Sequence, residues 1–342
     1  MDTKPRTVRI GIVGLGRLGK RHALNLTSVV AGVELVAAAS PVAEEQAWAQ
    51  EQFPGIGVYG SLEALLAHPG LDAVWLVTPT SVHVEQIEQS LLAGVHVFCE
   101  KPLSLTVAAC DRVLALAAGR PAQKVMIGFT RRFDAAYMEL KRQIAEGELG
   151  KVYRLHFESH DPIDPSGFFV KFAPTSGGLF LDCGIHDVDL ACWLAGGAKA
   201  VRVSASGSRV QYPDLAACGD IDTGAGTIEF ETGLVVTMFI SRSSHRGYEA
   251  KIWANGTRGG LVAGAGIQAP ALSVERGNFA MQPGLPDFFS RFSDAFRVEA
   301  QAFVDCVRRD TPSPLSLDDA VTATRLAIAL REACEQHRVI EL

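Results

Sequence analysis

The chain has 342 residues, enough for about two domains that each bury a core of their own. A hydrophobic share of 48% with 20% charged residues is that of an ordinary globular protein. The net charge of -6 and the lack of any Lys/Arg run argue against nucleic acid as a partner, and no apolar window is long enough for a membrane span.

Met1 to Arg9 is charged and runs straight into a strand, Val8 to Val13, so no signal peptide is expected. Gly14-Leu15-Gly16-Arg17-Leu18-Gly19 follows, and then a helical segment to about Ser28. This is G-x-G-x-x-G in the setting it requires, with a strand before and a helix after. Gly14 permits the tight turn, Gly16 lets the backbone approach a pyrophosphate, and Gly19 lets helix and strand pack closely. The phosphates would rest on the free N–H groups of Gly16, Arg17, Leu18 and Gly19 at the helix start. The second strand, Glu34 to Ala39, ends in Ser40-Pro41, where the fingerprint expects an acid for the ribose hydroxyl. Ser40 can bond either a hydroxyl or a phosphate. Val42 to Glu45 adds only acids, so NAD is favoured over NADP, with Arg17 the one candidate to reach a 2′-phosphate.

The alternation continues. Ala43 to Gln52 reads as helix, Gly57 to Tyr59 as a short strand, Leu62 to Leu66 as a helical turn, and Asp72 to Val77 as a strand. The strand ends in Thr78-Pro79-Thr80-Ser81-Val82-His83, and the helix from Ser81 to Leu92 is expected to start on hydroxyl caps. Thr78, Pro79 and His83 are expected cofactor contacts. For His83, a half-exposed position on the helix is an equal alternative. Val95 to Cys99 is an apolar inner strand that stops at Glu100-Lys101-Pro102. Ligands of open α/β sheets bind beyond the carboxyl ends of the strands, so a cation held there can act on a bound molecule; a solvated Glu-Lys pair is the alternative. A helix from Thr106 to Ala118 and a strand from Val125 to Phe129 complete a six-strand doubly wound sheet. Residues 1–130 are thus expected to form a Rossmann dinucleotide-binding domain, and 131–342 a second domain.

In that second part, Asp134 to Glu146 reads as a helix. Lys151 to His160 alternates like a strand, with Val152, Arg154, His156, Glu158 and His160 on one face. Further strands are expected at Val201 to Val210, Ala225 to Glu231, Leu234 to Arg242 and Tyr248 to Asn255, and neighbouring hairpin-linked strands imply an α+β domain on a mainly antiparallel sheet. Gly256 to Gly266 and Ala269 to Pro286 read as loop, and Asp287 to Arg308 and Ser316 to His337 as closing helices. Between Gly178 and Gly196, one helix would set Asp182, His186, Asp189 and Trp193 on a single stripe. An Asp can fix the tautomer and raise the basicity of a His suited to general-base work. A structural Asp–His hydrogen bond and a two-ligand metal site are the alternatives. Seven scattered cysteines without a Cys-x-x-Cys fit reduced thiols in a cytoplasmic protein.

Taken together, Gly-Leu-Gly-Arg-Leu-Gly, Thr78-Pro79-Thr80-x-x-His83, Glu100-Lys101-Pro102, Gly128-Phe129-Thr130-Arg131-Arg132-Phe133-Asp134 and Gly177-Gly178 through Asp182-x-x-x-His186 to Trp193 resemble the Gfo/Idh/MocA family of glucose-fructose oxidoreductases and inositol dehydrogenases. Within it the chain looks most like the inositol 2-dehydrogenases. The resemblance implies a Rossmann domain followed by a domain on an open, mainly antiparallel sheet, whose outer face pairs subunits into dimers and tetramers. It implies Lys101 as catalytic lysine, Asp182 and His186 as the catalytic pair, and a cis Lys101-Pro102 peptide, with Glu100 beside the cofactor. Arg131 matches a substrate-contacting arginine. His160, Asp161 and Tyr248 fall where the family lines its polyol pocket, and Phe168 to Phe172 is an apolar wall or core. The implied activity is NAD(P)-dependent oxidation of a secondary ring hydroxyl of a cyclic polyol, myo- or scyllo-inositol to inosose. Lys101 would stabilise the alkoxide, His186 would act as base, and no metal is required. Within the same resemblance, an aldose dehydrogenase and a non-catalytic dinucleotide-sensing regulator are the alternatives.

Overall fold

The computed structural model describes residues 6–264, 274–276, 279–281 and 284–342. The chain divides into two units, Met1–Phe129 with Phe296–Val321, and Thr130–Ala295 with Thr322–Leu342.

In the first unit, β1 (Val8–Val13), β2 (Val33–Ala39), β3 (Gly57–Tyr59), β4 (Ala73–Leu76), β5 (His96–Glu100) and β6 (Val125–Gly128) form a six-stranded sheet in the order β3-β2-β1-β4-β5-β6. Every pairing in it is parallel. The inner strands are apolar runs because both faces are covered: all four residues of β4 are buried, as are Val97 to Glu100 of β5. Five helices make the crossovers: α1 (Arg17–Ser28), α2 (Ala43–Gln52), α3 (Leu62–Leu66), α4 (His83–Leu92) and α5 (Val107–Ala118). Trp75 and Phe98, cross-strand neighbours on β4 and β5, stack with ring centroids 3.7 Å apart, and Phe303 closes on both edge-on. One start differs from expectation. A 3-10 turn, Thr80–Val82, precedes α4, whose cap position, Val82, makes no side-chain cap bond. The Thr78 hydroxyl instead donates to Gln86 Oε1 at 2.5 Å. The helix N-terminus is thereby left without a hydroxyl cap.

The second unit opens with α6 (Ala135–Ala145), capped by the Asp134 carboxylate. Its mixed sheet takes β7 (Val152–Pro162), β8 (Ala200–Ser208), β9 (Thr223–Phe230), β10 (Val235–Ser244), β11 (Glu249–Gly256) and β12 (Gly259–Ala263). With β15 (Ile340–Glu341) the order is β12-β11-β7-β10-β9-β8-β15, and only β7 and β10 run parallel. β12 lies inside the stretch expected as loop; backbone pairing with β11, Asn255 opposite Gly260, overrides its glycine-rich composition. In the second expected loop, β13 (Val274–Arg276) pairs with β14 (Phe279–Met281), and the remainder of those two stretches at 265–273, 277–278 and 282–283 lies outside the described residues. Along β7, Leu155, Phe157 and Ser159 are buried, while His156, Glu158 and His160 share the opposite face.

The expected single helix from Asp182 to Trp193 is two: α8 (Leu179–Asp182), after α7 (Phe168–Ser176), and α9 (Ile185–Leu194). Between them, Gly184 lies so close to the sheet that a Cβ would stand 2.6 Å from Ile240 Cδ1. In α7, Phe168 is exposed, and Phe169 and Val170 pack on Ala173, Tyr212 and Leu215. Two further helices, α10 (Phe288–Arg309) and α11 (Leu317–Gln336), each contribute residues to both units. Among the described residues, no helix is long and apolar enough to cross a membrane.

Candidate active site

The turn after β1 is shaped by two glycines and left open at a third. Gly14 has φ +88°, a backbone conformation that side chains rarely adopt. A Cβ on Gly19 would run into the Gly14 carbonyl. Gly16 differs: the nearest heavy atom to the place of its Cβ is Glu45 Oε1, 3.9 Å away. The fold therefore does not need glycine at Gly16 for its own packing, and the space above the exposed start of α1, which has no side-chain cap, fits a pyrophosphate. At the end of β2, Ser40 is buried and its hydroxyl donates to Glu45 Oε2 at 2.5 Å. Glu45, from α2, thus brings a carboxylate to the end of β2, and a carboxylate there disfavours a 2′-phosphate.

Thr78, Pro79 and His83 follow β4. His83 is 1% exposed, neither half-exposed nor open to a ligand. Its Nδ1 lies 2.8 Å from the Pro102 carbonyl and its Nε2 2.9 Å from the Thr78 carbonyl, so the ring sits between the turns after β4 and β5 and, when neutral, donates to one of the two. Burial holds its pKa below the ordinary histidine value. At the end of β5, Glu100 is buried; its Oε1 meets His22 Nε2 at 2.8 Å and its Oε2 accepts the Lys101 N–H at 3.2 Å. Lys101 is half-buried and precedes a cis peptide to Pro102.

In the second unit, Arg131 and Arg132 sit in the 3-10 turn Thr130–Phe133 and both are buried. Arg132 makes a two-pronged bond to Asp189 at 2.8 and 2.7 Å, so Asp189 of the expected stripe has a guanidinium for a partner. Arg131 Nη1 donates to Asp187 Oδ1 at 2.6 Å and to Ser159 at 2.8 Å, and its Nη2 donates to the Tyr248 hydroxyl at 3.0 Å. Burial pushes the Tyr248 phenol up, so it stays protonated. Since that oxygen accepts from Arg131, its own proton is directed elsewhere, and among the described residues nothing accepts it. Asp161 accepts from the Cys183 thiol at 3.3 Å, and burial raises its pKa. Asp182 accepts from Arg242 Nη2 at 2.6 Å; Arg242 is wholly buried and also faces Asp220 at 3.6 Å.

The structure therefore gathers Arg131, Asp187, Ser159 and Tyr248 into one network, with Asp161, Cys183, Asp182 and Arg242 in a second. It sets His160 apart from Asp161: its ring lies 5.5 Å from Phe239, on the face it shares with Glu158. Two successive strand residues cannot share a face, so the two side chains point to opposite sides of the sheet. His22, Glu45, Asp187 and Arg242 carry structural weight that the sequence reading did not assign. His22, three residues past Gly19, Asp187, next to His186, and Glu45, in an acidic run, stood near recognised features, and Arg242 stood near none. None of the seven cysteines is joined in a disulfide among the described residues.

Residues 8–129 match the family model of oxidoreductases with an NAD-binding Rossmann fold, and residues 137–262 match the Gfo/Idh/MocA C-terminal domain. The chain is 34% identical over 340 residues to the scyllo-inositol 2-dehydrogenase (NAD(+)) of Bacillus subtilis, with 93% of each chain covered. It is 31% identical to the myo-inositol 2-dehydrogenase of Thermotoga maritima, with 98% of each covered. The structure of scyllo-inositol dehydrogenase from Lactobacillus casei with bound NAD(H) and scyllo-inositol superposes with a TM-score of 0.93 at 34% identity, over 98% of this chain and 99% of that one. The glycine turn, the Glu-Lys-Pro strand end and the match along nearly the whole length lead to one statement: the chain belongs to the Gfo/Idh/MocA oxidoreductase family.

Proposed function

We propose that the protein is an NAD-dependent inositol dehydrogenase, oxidising a secondary ring hydroxyl of scyllo- or myo-inositol to the ketone. The observation that carries this reading is the cradle left open at Gly16, on the same carboxyl edge of the sheet as Lys101, which follows β5 two strands away from β1. In a doubly wound sheet this edge is where a dinucleotide lies. Both chain-length relatives and the superposed structure carry inositol dehydrogenase names.

NAD bound at Gly14, Gly16 and Gly19 supplies the hydride acceptor. His186 takes the proton of the reacting hydroxyl as its carbon becomes a carbonyl. The Lys101 ammonium stabilises the developing alkoxide; one such donor is worth roughly 3 kcal/mol. Asp182 orients His186 without moving a proton, its carboxylate steadied by Arg242. Tyr248, already accepting from Arg131, has its O–H to give to a second substrate hydroxyl. We also infer a homo-oligomer formed through the outer sheet face, where Val235, Phe239 and Val262 are exposed.

The test is absorbance at the reduced-nicotinamide band with inositols and aldoses, run with NAD and NADP side by side. Lys101→Ala and His186→Ala should each remove most turnover and leave NADH affinity nearly unchanged. Absence of NADH formation with every inositol overturns the reading.

A further inference from the structure

His22 sits on α1, three residues after Gly19, and is 1% exposed. A pyrophosphate cradle has no use for an imidazole at that place, because the backbone N–H groups and the helix dipole do the binding. The ring is enclosed by Trp75, Phe98 and Phe296, with centroids 5.4, 5.9 and 5.5 Å away. Its one polar contact among the described residues is Glu100 Oε1, 2.8 Å from Nε2; Nδ1 has none. A carboxylate can only accept, so Nε2 carries the proton and donates it to Glu100. Glu100, 5% exposed, then spends its second oxygen on the backbone N–H of Lys101 at 3.2 Å.

A carboxylate and an imidazole buried among aromatic rings are costly unless each has its partner, and an apolar pair of similar volume serves stability as well or better. What an apolar pair cannot do is hold the Lys101 N–H in one place. We propose that His22 is a positioning residue for Lys101: by fixing one oxygen of Glu100 it aims the other at the Lys101 backbone. The backbone from which the ammonium extends is thereby tied to α1, the helix that begins at the cradle. The same arrangement turns the Glu100 carboxylate inward, into the sheet end. The inference rests on the role given to Lys101 above.

The experiment compares His22→Leu, which keeps the volume and removes the donor, with His22→Gln, whose amide restores an N–H near the Nε2 position. A displacement of about 1 Å at a reacting group can cost about a hundredfold in rate. His22→Leu should therefore lower kcat at saturating NAD and inositol by about tenfold or more, while the inositol KM and the NADH Kd from fluorescence titration stay nearly unchanged. His22→Gln should recover most of the lost kcat. Crystal structures of wild type and His22→Leu should show the Glu100 carboxylate turned and Lys101 Nζ displaced. A full kcat in His22→Leu, equal losses in both variants, or an unmoved Lys101 overturns the proposal. If His22→Leu does not fold, His22→Met replaces it: it too fills the space and removes the donor, so an unchanged kcat there is equally fatal. If wild type oxidises no inositol, the reading of Lys101 has failed by itself, and the crystallographic comparison alone decides whether His22 positions the lysine.

Discussion

Arg131 and Asp187 form a 2.6 Å ion pair in which neither side chain is more than 5% exposed. The guanidinium also reaches Ser159 and Tyr248, so one arginine links the turn after β6 to β7, to α9 and to the residue before β11. Removing one member of such a pair leaves the other charge buried without compensation. Asp187→Leu and Arg131→Met should each cost about 3–5 kcal/mol, seen as a lower urea midpoint, and the two together should cost less than the sum of the single losses. Additive losses in that cycle would show that the two side chains are not coupled.

Tyr248→Phe keeps the ring packed against Phe292 and removes only the hydroxyl. The inositol kcat/KM should fall by about tenfold, the worth of one hydrogen bond, with the NADH Kd unchanged. An unaltered kcat/KM would mean that the phenol does not face the substrate.

The glycines should separate by role. Gly16→Ala meets nothing closer than 3.9 Å in the fold, so its melting temperature should stay that of wild type while NADH binding weakens at least about tenfold. In Gly19→Ala the new methyl collides with the Gly14 carbonyl, and the expected result is lost folding. Thermal melts with and without NADH distinguish the two.

Burial holds His83, His96 and His160 below the ordinary histidine value of 6.5. Their folded pKa values are therefore lower than their unfolded ones. As pH falls below about 6.5 the unfolded chain takes up protons that the folded chain refuses, so stability drops on that side and is flat above it. For His96 the Lys124 N–H donates to Nδ1 at 2.9 Å, which requires that nitrogen unprotonated. Below about pH 6.5, melting temperatures should fall less steeply in His96→Asn than in wild type; identical slopes would contradict the His96 shift.

On the outer face of the sheet, Phe239 is 40% exposed beside Val235, which is 38% exposed. Phe239→Asp puts a charge where two copies are proposed to meet. Sedimentation should then show a smaller species with unchanged circular dichroism, and an unchanged mass would exclude that face.

What the sequence determined by itself is local. Each strand of the parallel sheet is a short apolar run between helical patterns, and Gly14, Gly16 and Gly19 act through their own turn. The alternation pointed to a six-strand doubly wound sheet, and the order of its strands is the structure's. Locality also explains the misses. Gly259–Ala263 is a strand because β11 offers it a backbone ladder, which glycine content does not encode. His22 and Glu100 are 78 positions apart, Asp182 and Arg242 60, and Arg131 and Asp187 56. Only tertiary packing decided those pairings. A buried polar group takes whichever partner the chain path brings within about 3 Å, and no spacing along one element reports what another element delivers.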